Sequence, residues 1–292
     1  MRIETVGVVG CGLMGSGIAE VAARSGFDVK VREVDDEALA AGRARIEGSM
    51  GRAVAREKMT AEERDAALGR LGFTTDLADL ADRDLIVEAI VEDPDAKAAL
   101  FAGLDEVCGD DTIYATNTSS MTVTDLAART ARPDRFVGLH FFNPVPVMKL
   151  VEVVRTIATG DEAVEAAFDF VRRLDKEPIA ARDASGFVVN LLLVPYMLDA
   201  VRQLERGVAS VEDIDRGMRL GCGHPMGPFT LCDFVGVDTT WRIAEIMYEE
   251  YRESRYAPPP LLKRMVALGR YGRKTGRGFY DYSGDEPVPL PI

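Results

Sequence analysis

The chain has 292 residues, enough for about two domains, each with its own core. Its 35 Lys+Arg against 48 Asp+Glu give a formal net charge of −13, which repels phosphate backbones and anionic lipid and so argues against nucleic acid or a membrane surface as the main partner. An apolar content of 47% with 28% charged residues excludes a disordered chain, and the two histidines, His140 and His224, exclude any mechanism that needs several imidazoles.

Val6–Val9 is a β-branched run that reads as a strand, ends at Gly10 and leads into a helix over Met14–Ser25. A second strand is predicted over Val29–Val34, followed by a long Ala/Arg/Glu-rich helical stretch from Asp36 to Leu71. Apolar runs at Leu85–Ile90, Thr112–Ala115, Phe136–Leu139 and Leu150–Val154 each end in turn or polar residues. Strands alternating with helical segments predict βαβ units and a mostly parallel sheet. Near Lys176–Asp183 the alternation stops, at Pro178 and a short polar turn. Beyond Gly186 only helices are predicted, over Phe187–Leu204, Val211–Leu220, Thr230–Tyr251 and Pro260–Leu268. The expected fold class is α/β: an N-terminal Rossmann-type doubly wound sheet with a helical hairpin insertion over residues 1–184, and an all-α C-terminal domain over residues 185–292.

Cys11, Cys108, Cys222 and Cys232 form no C-x-x-C pair, so neither a metal site nor a disulfide framework is expected and a reduced, cytoplasmic setting is the simplest reading. No charged leader with a cleavage site opens the chain. The longest apolar run, Phe187–Leu198, is interrupted by Asn190 and Pro195 and is too short to span a bilayer.

Gly10-Cys11-Gly12-Leu13-Met14-Gly15 follows a predicted strand and opens a predicted helix. In that context Gly10 permits the tight turn, Gly12 lets the backbone approach a pyrophosphate, and Gly15 lets helix pack on strand. The diphosphate then sits on the helix N-terminus, at the amides that Leu13 and Met14 begin. Glu33 ends the second strand 18 residues after Gly15, where a carboxylate accepts ribose hydroxyls and repels a 2′-phosphate. NAD is therefore expected over NADP, although Arg32 beside Glu33 is the kind of residue that accommodates a 2′-phosphate. The competing reading is a glycine turn with no nucleotide.

His140 closes the strand Phe136–Leu139, and Asn117-Thr118-Ser119-Ser120 follow the preceding strand. Ligands of open parallel sheets bind beyond the carboxyl ends of the strands, so both segments face the expected crevice. An imidazole, with an unperturbed pKa near ~6.5, suits removal of a hydroxyl proton at neutral pH. Glu152 is a carboxylate in the otherwise apolar strand Leu150–Val154 and needs a partner, for which His140 is the candidate. On these residues alone the competing reading, a structural histidine, is the commoner one at a strand end. His224 lies among the glycines and prolines of Gly221–Pro228 and reads as a turn residue capping backbone groups.

Several stretches resemble the short-chain L-3-hydroxyacyl-CoA dehydrogenases, in particular the bacterial 3-hydroxybutyryl-CoA dehydrogenases. They are Gly7–Ala23, Leu85–Asp93, Ala115–Ala127, Arg135–Val154, Ser185–Asn190, Gly223–Phe229 and Lys274–Tyr282, spread in order over both predicted domains. The resemblance implies an NAD-dependent oxidoreductase of fatty acid or butanoate metabolism. It would transfer hydride between NAD(H) and C3 of a 3-hydroxyacyl thioester. Position by position it implies His140 as catalytic base, Glu152 as its paired carboxylate, and Ser119 and Asn190 as residues orienting the substrate. It places cofactor contacts at Gly10, Gly12, Leu13, Met14, Gly15, Glu33, Glu92, Lys97, Asn117, Ser119 and Asn143. Relatives often carry Asp where this chain has Glu33. A polar Asn190 inside the apolar helix Phe187–Leu198 is costly unless paired, and a substrate would pair it.

Residues 43–58 carry a local charge of +3 within the acidic chain, and Arg45, Ser49, Arg52 and Arg56 recur at spacings that share one helix face. Members of the resembling family use a Ser and a basic residue of this hairpin to bind coenzyme A, which points to Ser49, Arg52 and Arg56. A solvated helix face is the competing reading. The family also implies a homodimer formed through the C-terminal helices. A hydroxyacyl-carrier-protein or sugar-acid dehydrogenase and a nucleotide-binding protein without turnover remain as alternatives. Many β-hydroxyacid dehydrogenases use a catalytic Lys where this chain offers the His140/Glu152 pair.

Overall fold

The computed structural model describes residues 1–119 and 121–291, so Ser120 of the expected Asn117–Ser120 turn lies outside the described residues. Residues 1–184 form one compact unit and residues 185–292 a second.

The first unit is built on an eight-stranded sheet. Its elements are β1 (Thr5–Val9), α1 (Leu13–Arg24), β2 (Asp28–Arg32), α2 (Asp36–Ala55), α3 (Ala61–Leu68) and β3 (Leu71–Thr74). They continue with β4 (Leu85–Glu88), α4 (Pro94–Val107), β5 (Ile113–Thr116), α5 (Val123–Ala127), β6 (Phe136–Phe141), β7 (Leu150–Arg155), α6 (Asp161–Arg173) and β8 (Glu177–Arg182). The strand order is β3-β2-β1-β4-β5-β6-β7-β8, with β1 to β6 parallel. Strands β4, β5 and β6 are buried at every residue, which is why they read as short continuous apolar runs without alternation. The order reverses at β1/β4, and the glycine turn leaves the sheet there, at the position where open α/β sheets bind ligands.

Three features of this unit depart from the sequence expectation. The helical stretch 36–71 is two helices and a strand. Glu57, at φ 55°, follows the end of α2, and Thr60 with Glu63 forms a reciprocal capping box that starts α3. The edge strand β3 is four half-buried residues, too short and too little buried to stand out. Second, Glu177–Arg182 is a strand rather than a turn. It lies at the sheet edge, where Pro178 is tolerated, and only Ala181 is fully buried, so no apolar pattern marks it. Third, β7 runs antiparallel to β6. Residues 142–149 between them are too few for the crossover of a dozen or more residues that a parallel neighbour needs.

The second unit contains α7 (Val189–Glu205), α8 (Val211–Cys222), α9 (Pro228–Val235), α10 (Val237–Tyr251), α11 (Pro260–Ala267) and a small antiparallel pair, β9 (Tyr280–Asp281) with β10 (Val288–Pro289). The predicted helix over 230–251 is broken at Gly236, whose φ of 109° ends α9 and begins α10. The core gathers Leu198, Phe229, Val237, Ala244, Met247, Leu262 and Phe279.

Two buried aspartates hold the second unit's turns. Asp215 accepts bonds from Phe229 N (2.8 Å), Thr230 N (2.9 Å), Thr230 Oγ1 (2.6 Å) and Tyr280 OH (2.9 Å). Asp233 accepts from Phe279 N, Tyr280 N and Tyr282 OH, each at 3.0 Å. A Cβ on Gly227 would stand 2.4 Å from Asp215 Oδ1, and one on Gly278 1.9 Å from Asp233 Oδ1. The glycines of Gly223–Phe229 and Lys274–Tyr282 therefore let backbone N–H groups reach a buried carboxylate. Burial pushes the Asp233 carboxyl up to about 6, against its hydrogen bonds. His224 does not cap backbone groups with its ring: its Nδ1 lies 3.2 Å from Tyr196 OH, edge-on to that ring.

No helix among the described residues is long and apolar enough to cross a membrane. Among the described residues no cluster of His, Cys, Asp and Glu is placed to hold a metal ion.

Candidate active site

The glycines of the β1–α1 turn serve different needs. Gly10 has φ 90°, and a Cβ there would lie 2.6 Å from the Ala89 carbonyl oxygen. A Cβ on Gly15 would lie 1.8 Å from the Gly10 carbonyl oxygen. Both are demanded by the protein's own packing. Gly12 is not: its φ is −67° and a Cβ would meet nothing within 4 Å. The open space in front of Gly12 borders the N-terminus of α1, which has no side-chain cap and begins at the exposed Leu13 and half-buried Met14. Helix N-H groups facing open space suit a diphosphate.

Glu33 follows β2 and folds back on this turn, accepting the Cys11 N–H at 2.5 Å and the Val34 N–H at 3.1 Å. A carboxylate fixed beside the loop fits a ribose diol and opposes a 2′-phosphate. Arg32, the reservation about NADP, turns its Nε to the Thr75 carbonyl at 3.3 Å. Cys11 is buried; that burial, with Glu33 close by, pushes its thiol up to about 12, so it stays a neutral packing residue.

At the ends of β6 and β7, His140 and Glu152 are register partners in the antiparallel pair. His140 Nδ1 lies 2.5 Å from Glu152 Oε2, and both residues are buried. A carboxylate at Nδ1 sets the tautomer, so proton exchange with a ligand falls to Nε2. Phe142 packs on the imidazole at 4.5 Å between ring centroids. Asn143 is exposed, two residues beyond β6.

The turn after β5 is tied to both neighbours. Asn117 donates its backbone N–H to the Glu88 carbonyl, and its Oδ1 accepts the Phe141 N–H at 3.0 Å, joining the turn to the strand that carries His140. Glu92 Oε1 accepts the Ser119 N–H at 3.3 Å and the Thr118 hydroxyl. Burial would raise the Glu92 carboxyl, but the Lys97 ammonium and the bonds from Thr118 and Ser119 outweigh it and hold it below the usual carboxylate range. Lys97 itself is buried, with its ammonium on Glu88 and Glu92. Glu88, Thr116 and Thr118 were not singled out in the sequence. Glu88 was detectable there, as a charge closing the wholly apolar run Leu85–Val87.

The basic residues of the hairpin separate. Arg45 donates to the Cys11 carbonyl at 3.1 Å and so serves the glycine turn. Ser49 is half-buried, while Arg52 and Arg56 are exposed and form no ion pair among the described residues. Asn190 belongs to the second unit, and its setting differs from the expected one. Helix α7 starts at Val189, after Gly186 (φ 88°) and Phe187 (φ 50°) turn the chain, so Asn190 sits in the first helical turn rather than in an apolar interior.

A dinucleotide turn and a buried His–Glu pair toward the same end of a single sheet, at the carboxyl ends of its parallel strands, are the parts of an NAD-dependent dehydrogenase. Residues 5–184 match the NAD binding domain of 3-hydroxyacyl-CoA dehydrogenase, and residues 186–282 match its C-terminal domain. The chain is 54% identical over 282 residues to a 3-hydroxybutyryl-CoA dehydrogenase of Mycobacterium tuberculosis, covering 96% of this chain and 99% of that one. The crystal structure of M. tuberculosis FadB2 superposes with a TM-score of 0.95 at 53% identity, covering 97% of this chain and 100% of that one. That of (S)-3-hydroxybutyryl-CoA dehydrogenase PaaH1 from Ralstonia eutropha gives 0.94 at 43% identity, with 97% and 100% covered. The chain belongs to the 3-hydroxyacyl-CoA dehydrogenase family, and it is an NAD-dependent enzyme.

Proposed function

We propose that this chain interconverts a short-chain 3-hydroxyacyl-CoA and its 3-oxoacyl-CoA, with 3-hydroxybutyryl-CoA and acetoacetyl-CoA as the substrate pair. The observation that carries this reading is the buried His140–Glu152 pair, 2.5 Å apart toward the carboxyl end of β6, the end of the sheet at which the glycine turn also leaves β1. NAD, when bound, supplies the hydride acceptor for oxidation and, as NADH, the donor for reduction. Gly12 and the amides of Leu13 and Met14 would hold its diphosphate, with Gly10 and Gly15 shaping the turn and Glu33 the ribose. Asn117, Ser119 and Asn143 border the same strand ends, and Glu92 with Lys97 stands beneath Ser119.

In oxidation, His140 Nε2 takes the proton of the 3-hydroxyl while Nδ1 stays on Glu152. Glu152 offsets the positive charge this places on the imidazole, and in reduction the same proton returns to the 3-oxo oxygen. Ser119 hydrogen-bonds the reacting oxygen or the thioester carbonyl and so fixes the face presented, and Asn190 is the substrate-orienting residue proposed for the second unit. Ser49, Arg52 and Arg56 take the phosphates of the coenzyme A handle. The identities of 54% and 43% with the two 3-hydroxybutyryl-CoA dehydrogenases described above support the choice of acyl-CoA.

The active form is a homodimer joined through the second unit, where Leu192, Leu220 and Phe234 are exposed apolar side chains. The free cysteines fit a reduced, cytoplasmic setting. The direct test is nicotinamide absorbance on mixing enzyme with acetoacetyl-CoA and NADH, then NADPH. Rapid oxidation of NADH is expected; no oxidation of either would overturn the reading, and preference for NADPH would overturn the role of Glu33.

A further inference from the structure

Glu88 is the last residue of β4 and is wholly buried. Its carboxylate has four bonds. Lys97 Nζ donates to Oε1 and Oε2 at 2.9 Å each, Thr116 Oγ1 donates to Oε2 at 2.6 Å, and Ile90 N donates to Oε1 at 2.8 Å. The same Lys97 ammonium reaches Glu92 Oε2 at 2.9 Å. Lys97 Nζ thus has three carboxylate oxygens around it, two of Glu88 and one of Glu92. Lys97 is 1% exposed, so its charge is not offered to solvent. Glu92 in turn accepts the Ser119 N–H and the Thr118 hydroxyl. A chain of charge-assisted bonds thus runs from the floor of the sheet at Glu88, through Lys97 and Glu92, to the backbone of Ser119.

We infer that Glu88 is a positioning residue: through Lys97 and Glu92 it fixes the Ser119 backbone. This rests on the proposed role of Ser119 beside the reacting centre. Two carboxylates around one ammonium leave a net negative charge, and a buried ammonium with a single partner is poorly compensated. Glu88 supplies the second partner and sets how far the ammonium extends toward Glu92. Without it the Lys97 tip is no longer pinned, and neither is the Glu92 oxygen that holds Ser119. Such chains act as a unit, because each member orients the next. Thr116 on β5 and Ile90 after β4 lock Glu88 itself, so the reference point is the rigid part of the sheet.

The test is Glu88→Gln in the full-length enzyme, read by amide hydrogen exchange at Ser119 and by kcat per active site. Exchange at Ser119 is expected to quicken about tenfold while amides of Val87 and Ala115 keep their protection, since local opening is separable from loosening of core strands. The kcat for acetoacetyl-CoA reduction is expected to fall at least about tenfold, as misplaced catalytic groups cost rate. Unchanged Ser119 exchange, equal loosening of β4 and β5, or an unchanged kcat would each overturn the inference. If Glu88→Gln does not fold, Thr116→Val carries the test: Ser119 exchange quickened at least about threefold supports the chain, and unchanged exchange overturns it. The exchange measurement is independent of turnover. An enzyme inactive on acetoacetyl-CoA before any substitution would instead count against the proposed substrate.

Discussion

His140 and Glu152 face each other directly across the β6–β7 pair, with Nδ1 and Oε2 2.5 Å apart. The relationship depends on strand direction. Only an antiparallel β7, returning after residues 142–149, brings a residue twelve positions later beside His140. Glu152→Gln keeps the shape and removes the charge that supports a protonated imidazole. It should lower kcat by at least about 100-fold, within the range for a disabled general base, with nucleotide affinity little changed. Steady-state rates alongside NADH fluorescence titration check this; an undiminished kcat would separate Glu152 from the chemistry.

Gly12 and Gly15 should respond oppositely to the same substitution. Gly15→Ala forces a Cβ against the Gly10 carbonyl oxygen and should destabilise by several kcal/mol, about the cost of severe overpacking. Gly12→Ala meets no protein atom, so stability should change by less than about 0.5 kcal/mol. Its cost should appear only with ligand, as a loss of at least about tenfold in NADH affinity. Thermal unfolding with and without NADH distinguishes the two glycines.

The hairpin residues divide by what they hold. Arg45 is engaged with the glycine turn, whereas Arg52 and Arg56 are exposed on α2 and at its C-terminal cap. Arg56→Ala should raise KM for acetoacetyl-CoA by about threefold to tenfold, as for loss of one charge-assisted bond, and leave a truncated thioester unaffected. Equal effects on both substrates would make the face a solvated surface only.

Asp233 makes stability depend on pH in a recognisable direction. Burial raises its folded-state value to about 6 from 3.8, so the folded chain binds the proton more tightly than the unfolded one. Its contribution is complete below pH 3.8 and is lost as pH rises through about 6, a loss of about 3 kcal/mol. Asp233→Asn should therefore remove a decline in stability between pH 4 and 7 that the unsubstituted chain shows. Urea unfolding of both at several pH values gives the difference directly; parallel curves would refute the assignment.

Much of this was readable from residue order, for physical reasons that differ by element. The glycine turn was legible because its spacing, between a β-branched strand and a helix, encodes local geometry. His140 and Glu152 were legible as charges in apolar strands, which must find each other or water. Strands β3 and β8 were not, because half-buried edge strands carry little periodicity and Pro178 reads as a stop. The antiparallel turn was implicit in a loop too short to cross over. The helix position of Asn190 was not legible, since the positive φ at Gly186 and Phe187 delays the helix until Val189. Glu88 follows the same logic as Glu152, a charge in an apolar strand, and its partner Lys97 lies on the next helix.

The most direct test of the account is His140→Ala, followed by single-turnover reduction of acetoacetyl-CoA and by NADH titration. The hydride-transfer rate should fall by about 100-fold to 10,000-fold, the span attributed to a positioned acid–base group, while the NADH dissociation constant stays within about twofold. A variant that binds NADH and still turns over at the original rate would contradict the account.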